Sequence, residues 1–157
     1  MPKFRKGFTL IELLVVIGVL AVLLTITLIA INPARQFAQS NDTKRRSDVN
    51  SILNAIHQFG ADNRGILPAG LAQVAATPMP IQRSATPDPS VEADICADVV
   101  TDYLAALPVD PQVGTGTPVT DCTTAYQTGY EVSVSATNNR VTIYATGELD
   151  PLISVTR

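Results

Sequence analysis

One uninterrupted apolar run dominates the sequence. Residues 13–31 consist only of Leu, Ile, Val, Ala, Gly and Thr, and the chain carries no charge from Leu13 to Ala34. At about 1.5 Å per residue, a helix over this run spans roughly 28 Å, close to the hydrocarbon thickness of a bilayer. We predict a membrane-spanning helix that ends or kinks at Asn32-Pro33, because proline lacks a backbone donor and restricts the residue before it.

A second pattern at helical spacing follows the apolar run. Five apolar residues recur every three or four positions on an otherwise polar background: Val49, Ile52, Leu53, Ile56 and Phe59. Such a stripe is typical of a helix that packs one face on a core. We therefore predict one long helix over residues 8–59, interrupted near Pro33, whose second half packs on a small domain. Gly60 and the turn residues after it should stop this helix.

A proline-rich stretch and then a second predicted helix follow the apolar stripe. Residues 66–90 contain five prolines among many Ala, Thr and Ser, which favours either an irregular connector laid over the surface or a flexible linker. Residues 92–107 are predicted to be helical, because apolar side chains recur at four-residue spacing before Pro108: Ile95, Val99, Tyr103 and Leu107.

The last third of the chain alternates apolar and polar residues with a period of two. This pattern covers residues 129–135 and 141–145, and the turn residues 136–139 separate the two stretches. We predict an antiparallel hairpin, with residues 152–155 as a third strand that closes a sheet on the apolar stripe. The expected fold class is α+β.

Composition and charge support an anchored, exported protein. The chain is 46% hydrophobic and 16% charged, which is too apolar for a disordered chain. Lys3, Arg5 and Lys6 precede the apolar run, and most acidic residues follow it, so the positive-inside rule places the N-terminus in the cytoplasm. The net charge of −3 argues against nucleic-acid binding through bulk electrostatics. A cleavable secretory signal is the competing interpretation, but its apolar stretch is usually shorter.

Glu12 is the most informative single residue. A carboxylate at the mouth of an apolar helix costs on the order of 2 kcal/mol or more unless it is paired or lies near the headgroups. Glu12 belongs to the run Lys6-Gly7-Phe8-Thr9-Leu10-Ile11-Glu12-Leu13. This run strongly resembles the processing motif of type IV pilins and of the pseudopilins of type II secretion. An interfacial position at the headgroups is the plainer reading of Glu12 alone.

The resemblance implies a pilin fold and a processing pathway. It implies that a prepilin peptidase in the bacterial inner membrane cuts after Gly7 and that the new amine of Phe8 is N-methylated. Loss of residues 1–7 would leave eight basic and fourteen acidic residues, a net charge of −6. A buried carboxylate and a buried amine both need partners. We therefore expect Glu12 of an incoming subunit to pair with the Phe8 amine of its neighbour.

A second, looser resemblance covers the exported half. The run from Tyr103 to Pro111 contains Leu-Pro-Val-Asp-Pro, which is similar to a run in the major pseudopilins. The chain lacks the Trp-Gly that often follows, so the calcium site of that group is not carried over. We expect a structural subunit of a type IV pilus or pilus-like filament, with a pseudopilin of a type II secretion system as the alternative.

The expected partners follow from this resemblance, and the sequence favours no enzyme. The partners are identical or related pilin subunits, the prepilin peptidase, the pilus or secretion assembly machinery, and inner-membrane lipid before assembly. The product would be an extracellular or periplasmic filament. The sequence offers no histidine pair, no recognisable Ser/His/Asp grouping and no glycine-rich phosphate loop, so we expect no catalytic residue, metal or cofactor.

Two further features concern the exported part. Cys96 and Cys122 are the only cysteines, and two cysteines in an exported domain most simply form one disulfide. On the predicted helix over 92–107, Asp94, Asp98 and Asp102 would form an acidic ridge. This ridge either faces solvent or meets three bases of a neighbouring subunit: Lys44, Arg45 and Arg46. Those bases also occupy the place of a juxtamembrane anchor.

The predicted organisation therefore has four segments. They are a leader peptide at 1–7, a transmembrane and filament-core helix at 8–34, an amphipathic helix at 35–60, and an exported domain at 61–157 with connector, short helix and hairpin.

Overall fold

The computed structural model describes residues 7–157. It contains three α-helices, α1 (Leu10–Ile31), α2 (Pro33–Asp62) and α3 (Cys96–Val99), and a short 3₁₀ turn at Ala69–Leu71. The strands are β1 (Met79–Arg83), β2 (Tyr126–Val134), β3 (Val141–Ala145) and β4 (Ile153–Thr156). The described chain divides into two compact units, one ending at Phe37 and one comprising Ala38–Arg157. Residues 1–6 of the predicted leader lie outside the described residues.

The break between α1 and α2 falls at the predicted place. Asn32 has a left-handed backbone with φ 47°, which ends α1, and Pro33 is the first residue of α2. Asn32 then accepts hydrogen bonds from the backbone N–H of Arg35, through both its carbonyl and its side chain. Proline suits the first position of a helix because its missing N–H would have no helical partner there.

The second unit has an α+β core in which one face of α2 meets the sheet. Val49, Ile52, Leu53 and Ile56 are completely buried in one cluster with sheet residues, whereas Phe59 is half-buried. The predicted stripe is therefore confirmed. Gly60 does not stop the helix: it is buried inside α2, which ends at Asp62.

Within residues 7–157, four antiparallel strands form one sheet in the order β1-β2-β3-β4. The hairpin is confirmed, with Val134 opposite Val141 and Val132 opposite Ile143. The predicted last strand is also confirmed, since β4 pairs with β3 over Ile153–Thr156. The fourth strand, β1, was not predicted. It lies inside the proline-rich stretch 66–90 and pairs with β2, with an irregularity between Pro80 and Gln82.

The predicted helix over 92–107 is wrong. Only the four residues of α3 are helical; Val100 is extended and Thr101 has φ 78°, so the chain turns away after one helical turn. Ile95, Val99 and Leu107 are still buried, but they reach the core from a turn-rich loop rather than from one helical face.

Candidate processing and assembly site

The start of α1 is fixed by a capping box between Thr9 and Glu12. The hydroxyl of Thr9 accepts a hydrogen bond from the Glu12 backbone N–H at 3.3 Å. In return, the Glu12 carboxylate accepts from the Thr9 backbone N–H at 2.9 Å and from the Thr9 hydroxyl at 2.8 Å. The pair satisfies two donors that the first helical turn leaves unpaired. Glu12 is thus the third residue of α1 and the acidic residue of its first turn.

Thr9 is a functional residue that our sequence reasoning missed. The spacing Thr-x-x-Glu immediately before an apolar run is a known helix-start signal, and it is visible in the sequence as Thr9-Leu10-Ile11-Glu12. The same four residues also belong to the run that resembles the processing motif. In the structure, Thr9 and Glu12 also have a local role, because their capping box determines where α1 begins.

The Gly7–Phe8 peptide bond lies outside the helix. Residues 7–9 are not helical, and Thr9 has an extended backbone with ψ 152°. Gly7 is exposed and has open space around it, and the Phe8 ring is 82% exposed. A bond in an extended, exposed segment can enter a peptidase cleft without unwinding a helix, so this geometry suits cleavage after Gly7.

From Leu13 onward, α1 is apolar around its whole circumference. None of its 22 residues is buried within the chain, and the helix is long and apolar enough to cross a membrane, a test that signal sequences and buried core helices also pass. Its two internal hydroxyls are satisfied locally: Thr25 donates to the carbonyl of Ala21 and Thr27 to that of Leu24. The helix therefore presents no unpaired hydroxyl to an apolar environment.

Comparison with protein-family models identifies this segment. Residues 2–28 match the family described as the prokaryotic N-terminal methylation motif. The chain carries that methylation motif. The motif is characteristic of type IV pilins and pseudopilins, so the resemblance drawn from residues 6–13 is confirmed. The match ends inside α1 and covers none of the second unit. No curated protein and no solved structure gives a significant match to the chain.

Arg45 is buried in the second unit. Its guanidinium is 2% exposed and donates to both oxygens of Asp110, from Nε at 2.6 Å and from Nη2 at 3.0 Å. It also contacts Asp42 at 2.9 Å and Glu148 at 3.3 Å. The hydrogen bond to Asp110 is the main reason that the pKa of Arg45 lies above its usual range.

Asp42 and Asp110, two acidic partners of Arg45, have lowered pKa values. Burial alone would raise the pKa of Asp42, but the backbone N–H groups of Glu148, Leu149 and Asp150, together with Arg45, lower it well below its usual range. Burial also opposes ionisation of Asp110, and the hydrogen bonds from Arg45 and from the backbone of Gln112 outweigh it and lower its pKa. The cluster is a buried ionic network that links α2 to two distant loops.

The two neighbouring bases also have partners within the chain. Lys44 donates to Asp48 at 2.6 Å and to the carbonyl of Val109 at 2.8 Å. Arg46 pairs with Asp150 at 2.6 Å, and both side chains are about half-exposed. Contact between subunits through these three bases stays a prediction. For Arg45 such a contact would require the buried network to open.

The predicted acidic ridge is absent from the second unit because the helix that would carry it is only one turn long. Asp94 pairs with Arg83 of β1 at 2.6 Å and accepts a hydrogen bond from the Tyr126 hydroxyl at 2.8 Å. Asp98 accepts from the backbone N–H of Ala69 at 2.7 Å. Asp102 is exposed. Asp94 and Asp98 thus hold loops of their own chain together.

Cys96 and Cys122 form a disulfide, with their Cα atoms 5.4 Å apart. Cys96 begins α3 and is buried in the core, and Cys122 lies in the loop before β2. The bridge therefore ties α3 to the loop that precedes β2. This arrangement suits an oxidising compartment.

Proposed function

We propose that the protein is a structural subunit, not an enzyme, of a type IV pilus or pilus-like filament. In this proposal a prepilin peptidase cleaves after Gly7 and Phe8 is N-methylated. The observation that carries the proposal is the methylation motif at residues 2–28, which extends into a helix with no residue buried within the chain. Subunits would assemble by packing their α1 helices together, since residues 13–31 carry no charge and their exposed apolar side chains need an apolar environment.

We propose that α1 spans the bacterial inner membrane once before assembly, with its N-terminus in the cytoplasm. The basic residues at positions 3, 5 and 6 support this orientation, and the disulfide supports export of the second unit. Inner-membrane lipid would be the first partner of α1, and neighbouring subunits with the assembly machinery would be the later partners.

Glu12 would set the axial register of the filament. Cleavage after Gly7 creates an α-amine on Phe8, and a neighbour's Glu12 carboxylate would neutralise it in the apolar filament core. A single buried polar pair is known to fix register among packed helices. The same carboxylate holds Thr9 in the single chain, so its capping and pairing roles need separate variants.

Two substitutions separate those roles. Glu12→Gln keeps an oxygen that can accept from Thr9 but removes the charge, whereas Glu12→Leu removes both. We expect both variants to reach the membrane and to fail in filament assembly. Normal filaments from Glu12→Gln would overturn the charge pairing, and normal filaments from Glu12→Leu would exclude any assembly role of Glu12.

The proposal as a whole is tested by the N-terminus and by the filament. Mass spectrometry of the protein from bacteria with the prepilin peptidase should give a chain that starts at methylated Phe8, and deletion of the peptidase should leave residues 1–7 in place. Cryo-EM of sheared filaments should show this chain as the repeating subunit. A different start, or filaments made of another protein, would contradict the proposal.

A pseudopilin of a type II secretion system is the second candidate. The supporting observation is the Leu-Pro-Val-Asp-Pro run, in which Asp110 binds the buried Arg45 of α2. Deletion of the gene distinguishes the two roles. Loss of long surface fibres with normal protein secretion supports the pilus, whereas accumulation of secreted enzymes in the periplasm supports the pseudopilus.

Charge contacts between subunits are a separate proposal. Arg46 and Lys44 are accessible enough to meet Asp98 or Asp102 of a neighbour. Asp102→Arg combined with Arg46→Asp should restore assembly that each single reversal weakens. If the double variant assembled no better than the single variants, contact between Arg46 and Asp102 of neighbouring subunits would be excluded.

A further inference from the structure

The loop between β3 and β4, residues 146–152, is held rigidly on α2. The carboxylate of Asp42 accepts hydrogen bonds from three consecutive backbone N–H groups, those of Glu148 at 2.8 Å, Leu149 at 2.9 Å and Asp150 at 3.1 Å. Gly147 makes this approach geometrically feasible, because a Cβ at that position would overlap the carbonyl of Asp150 and lie 3.0 Å from the Asp42 carboxylate. The loop is therefore ordered before any partner binds.

The two acidic side chains of this loop have hydrogen-bond partners on α2. Glu148 accepts from the Asn41 amide at 2.7 Å and from Arg45 at 3.3 Å. Asp150 pairs with Arg46 at 2.6 Å. Both carboxylates thus bind side chains of α2. An apolar partner that covered only the apolar tip would leave these two hydrogen-bonded carboxylates in place.

The tip of the same loop is apolar. Leu149 is 51% exposed and Leu152 is 61% exposed, with the exposed Pro151 between them. Within Ala38–Arg157, all of which the structure describes, the other exposed large hydrophobic residues are Ile66 and Val91. Leu149 and Leu152 are therefore the only two that share one loop. Neither is needed to hold the loop in place, because Asp42 binds its backbone.

A cavity of about 260 Å³ adjoins Leu152. Its other walls include Pro78, Tyr144 and Ala145, and the acidic Glu131 also lines it. The volume suffices for a large aliphatic side chain from a partner. A helix surface supplies such protruding side chains, whereas a lipid surface offers no fixed shape to fill a cavity. The combination of tip and cavity therefore favours a helical protein partner.

We propose that the tip formed by Leu149, Pro151 and Leu152 docks on the apolar α1 helix of a second copy of this chain. That helix offers 22 residues with none buried in its own chain, and it supplies aliphatic side chains for the cavity. Because the loop is already ordered, the contact loses little conformational entropy, and the leucines can be covered while Glu148 and Asp150 keep their hydrogen bonds to α2. The inference rests on the proposed function, since only an assembly brings two copies together.

Site-specific photo-crosslinking tests the contact in assembled filaments. A photoreactive phenylalanine analogue is placed at Leu149 or at Leu152, and matched controls carry it at Ile66 or Val91. We expect covalent dimers from the two loop positions, with mass spectrometry locating the crosslink in residues 10–31 of the second copy. Adducts with lipid only, with an unrelated protein, or in yields no higher than at Ile66 would overturn the proposal.

Substitutions provide an independent measurement. Leu149→Ser together with Leu152→Ser should lower the assembled fraction by about tenfold or more, because two leucine contacts are lost. The pair Ile66→Ser and Val91→Ser should leave assembly unchanged. Membrane level, the mature N-terminus and the disulfide should be the same in all variants, which excludes a folding or processing defect.

The outcomes separate this inference from the proposed function. Wild-type filaments of mature subunits with no loop-to-helix crosslink and normal assembly of the Leu149, Leu152 variant would overturn the docking surface alone. A wild-type chain that is never cleaved at Gly7 and never assembles would overturn the proposed function and the docking surface together.

Discussion

The guanidinium of Arg45 binds both carboxylate oxygens of Asp110, at 2.6 Å and 3.0 Å, although the two residues are 65 positions apart. The pair joins α2 to the loop that contains the Leu-Pro-Val-Asp-Pro run. Both side chains are buried, so neither charge can be left alone without a large cost. This pair therefore contributes to the interior of the second unit, where the sequence alone suggested a surface base.

Replacement of Arg45 by methionine should strongly destabilise the second unit. Asp42 and Asp110 would remain buried without their cation, and loss of one member of such a group costs about 3–5 kcal/mol. Near-UV circular dichroism of the full chain in detergent, during denaturant unfolding, measures this cost. All four tyrosines lie in the second unit and the chain has no tryptophan, so the signal reports on that unit.

The neighbouring arginine is the matched control for this substitution. Arg46 also pairs with an aspartate, Asp150, but its side chain is 56% exposed. Arg46→Met should lower the free energy of unfolding by less than about 1 kcal/mol, as is usual for exposed ion pairs. Equal losses from the two substitutions would contradict the special role of the buried cluster.

Acid should destabilise the second unit through the same cluster. The pKa values of Asp42 and Asp110 are lowered in the folded chain, so both groups contribute stability above the unfolded value, about 3.9. That contribution is lost as pH falls below about 4 toward the lower folded pKa values. Thermal unfolding measured between pH 7 and pH 2 should show the loss. Asp42→Asn should flatten this dependence, and an unchanged slope would contradict the assignment.

Sequence reasoning could not reveal this cluster, and the reason is physical. Asp42 lies only three residues before Arg45, but Asp110 and Glu148 are 65 and 103 residues away, and only the folded sheet and loops bring them to Arg45. A run of three bases after an apolar helix is usual for a juxtamembrane anchor, and nothing local distinguishes the buried base from its exposed neighbours. The apolar stripe of α2 was predictable, because its signal lies within one helix.

Loss of the Thr9 cap should loosen the first turn of α1. Thr9→Ala removes the hydroxyl that accepts the Glu12 N–H, and a cap of this kind contributes ~1 kcal/mol. Amide hydrogen exchange of residues 10–12 in detergent micelles should accelerate roughly fivefold in the precursor. Thr9→Ser keeps the hydroxyl and should exchange like the wild type. Identical exchange in all three proteins would exclude the cap.

Removal of the disulfide should lower stability without abolishing the sheet. Cys96→Ala with Cys122→Ala opens a loop with a sequence separation of 26, for which the chain-entropy model gives about 3 kcal/mol. Denaturant unfolding of the double variant should show this loss, and addition of a reductant should shift only the wild-type protein. A wild type that is insensitive to reductant would show that the bridge adds no stability.

Within the second unit, the elements with a local sequence pattern were predictable, and those that depend on distant contacts were not. The hairpin over β2 and β3 combines period-two alternation with a short turn, so local sequence determines both strands and their pairing. β1 contains Pro80 and lies among prolines, and its pairing partner β2 is more than 40 residues away, so no local pattern reveals it. The four-residue spacing from Ile95 to Leu107 reflects burial of those residues, but the backbone at Val100 and Thr101 is not helical.

The Cys96–Cys122 bridge also changes what a protease can do to the molecule. It makes residues 96–122 a covalent ring, and the backbones of Leu107 and Val119 pair with two hydrogen bonds inside that ring. The turn between them, with Gly114 and Thr115 exposed, is the obvious place for a nick. A cut there would open the ring without releasing a fragment, so the nicked chain would keep both halves of its second unit covalently joined.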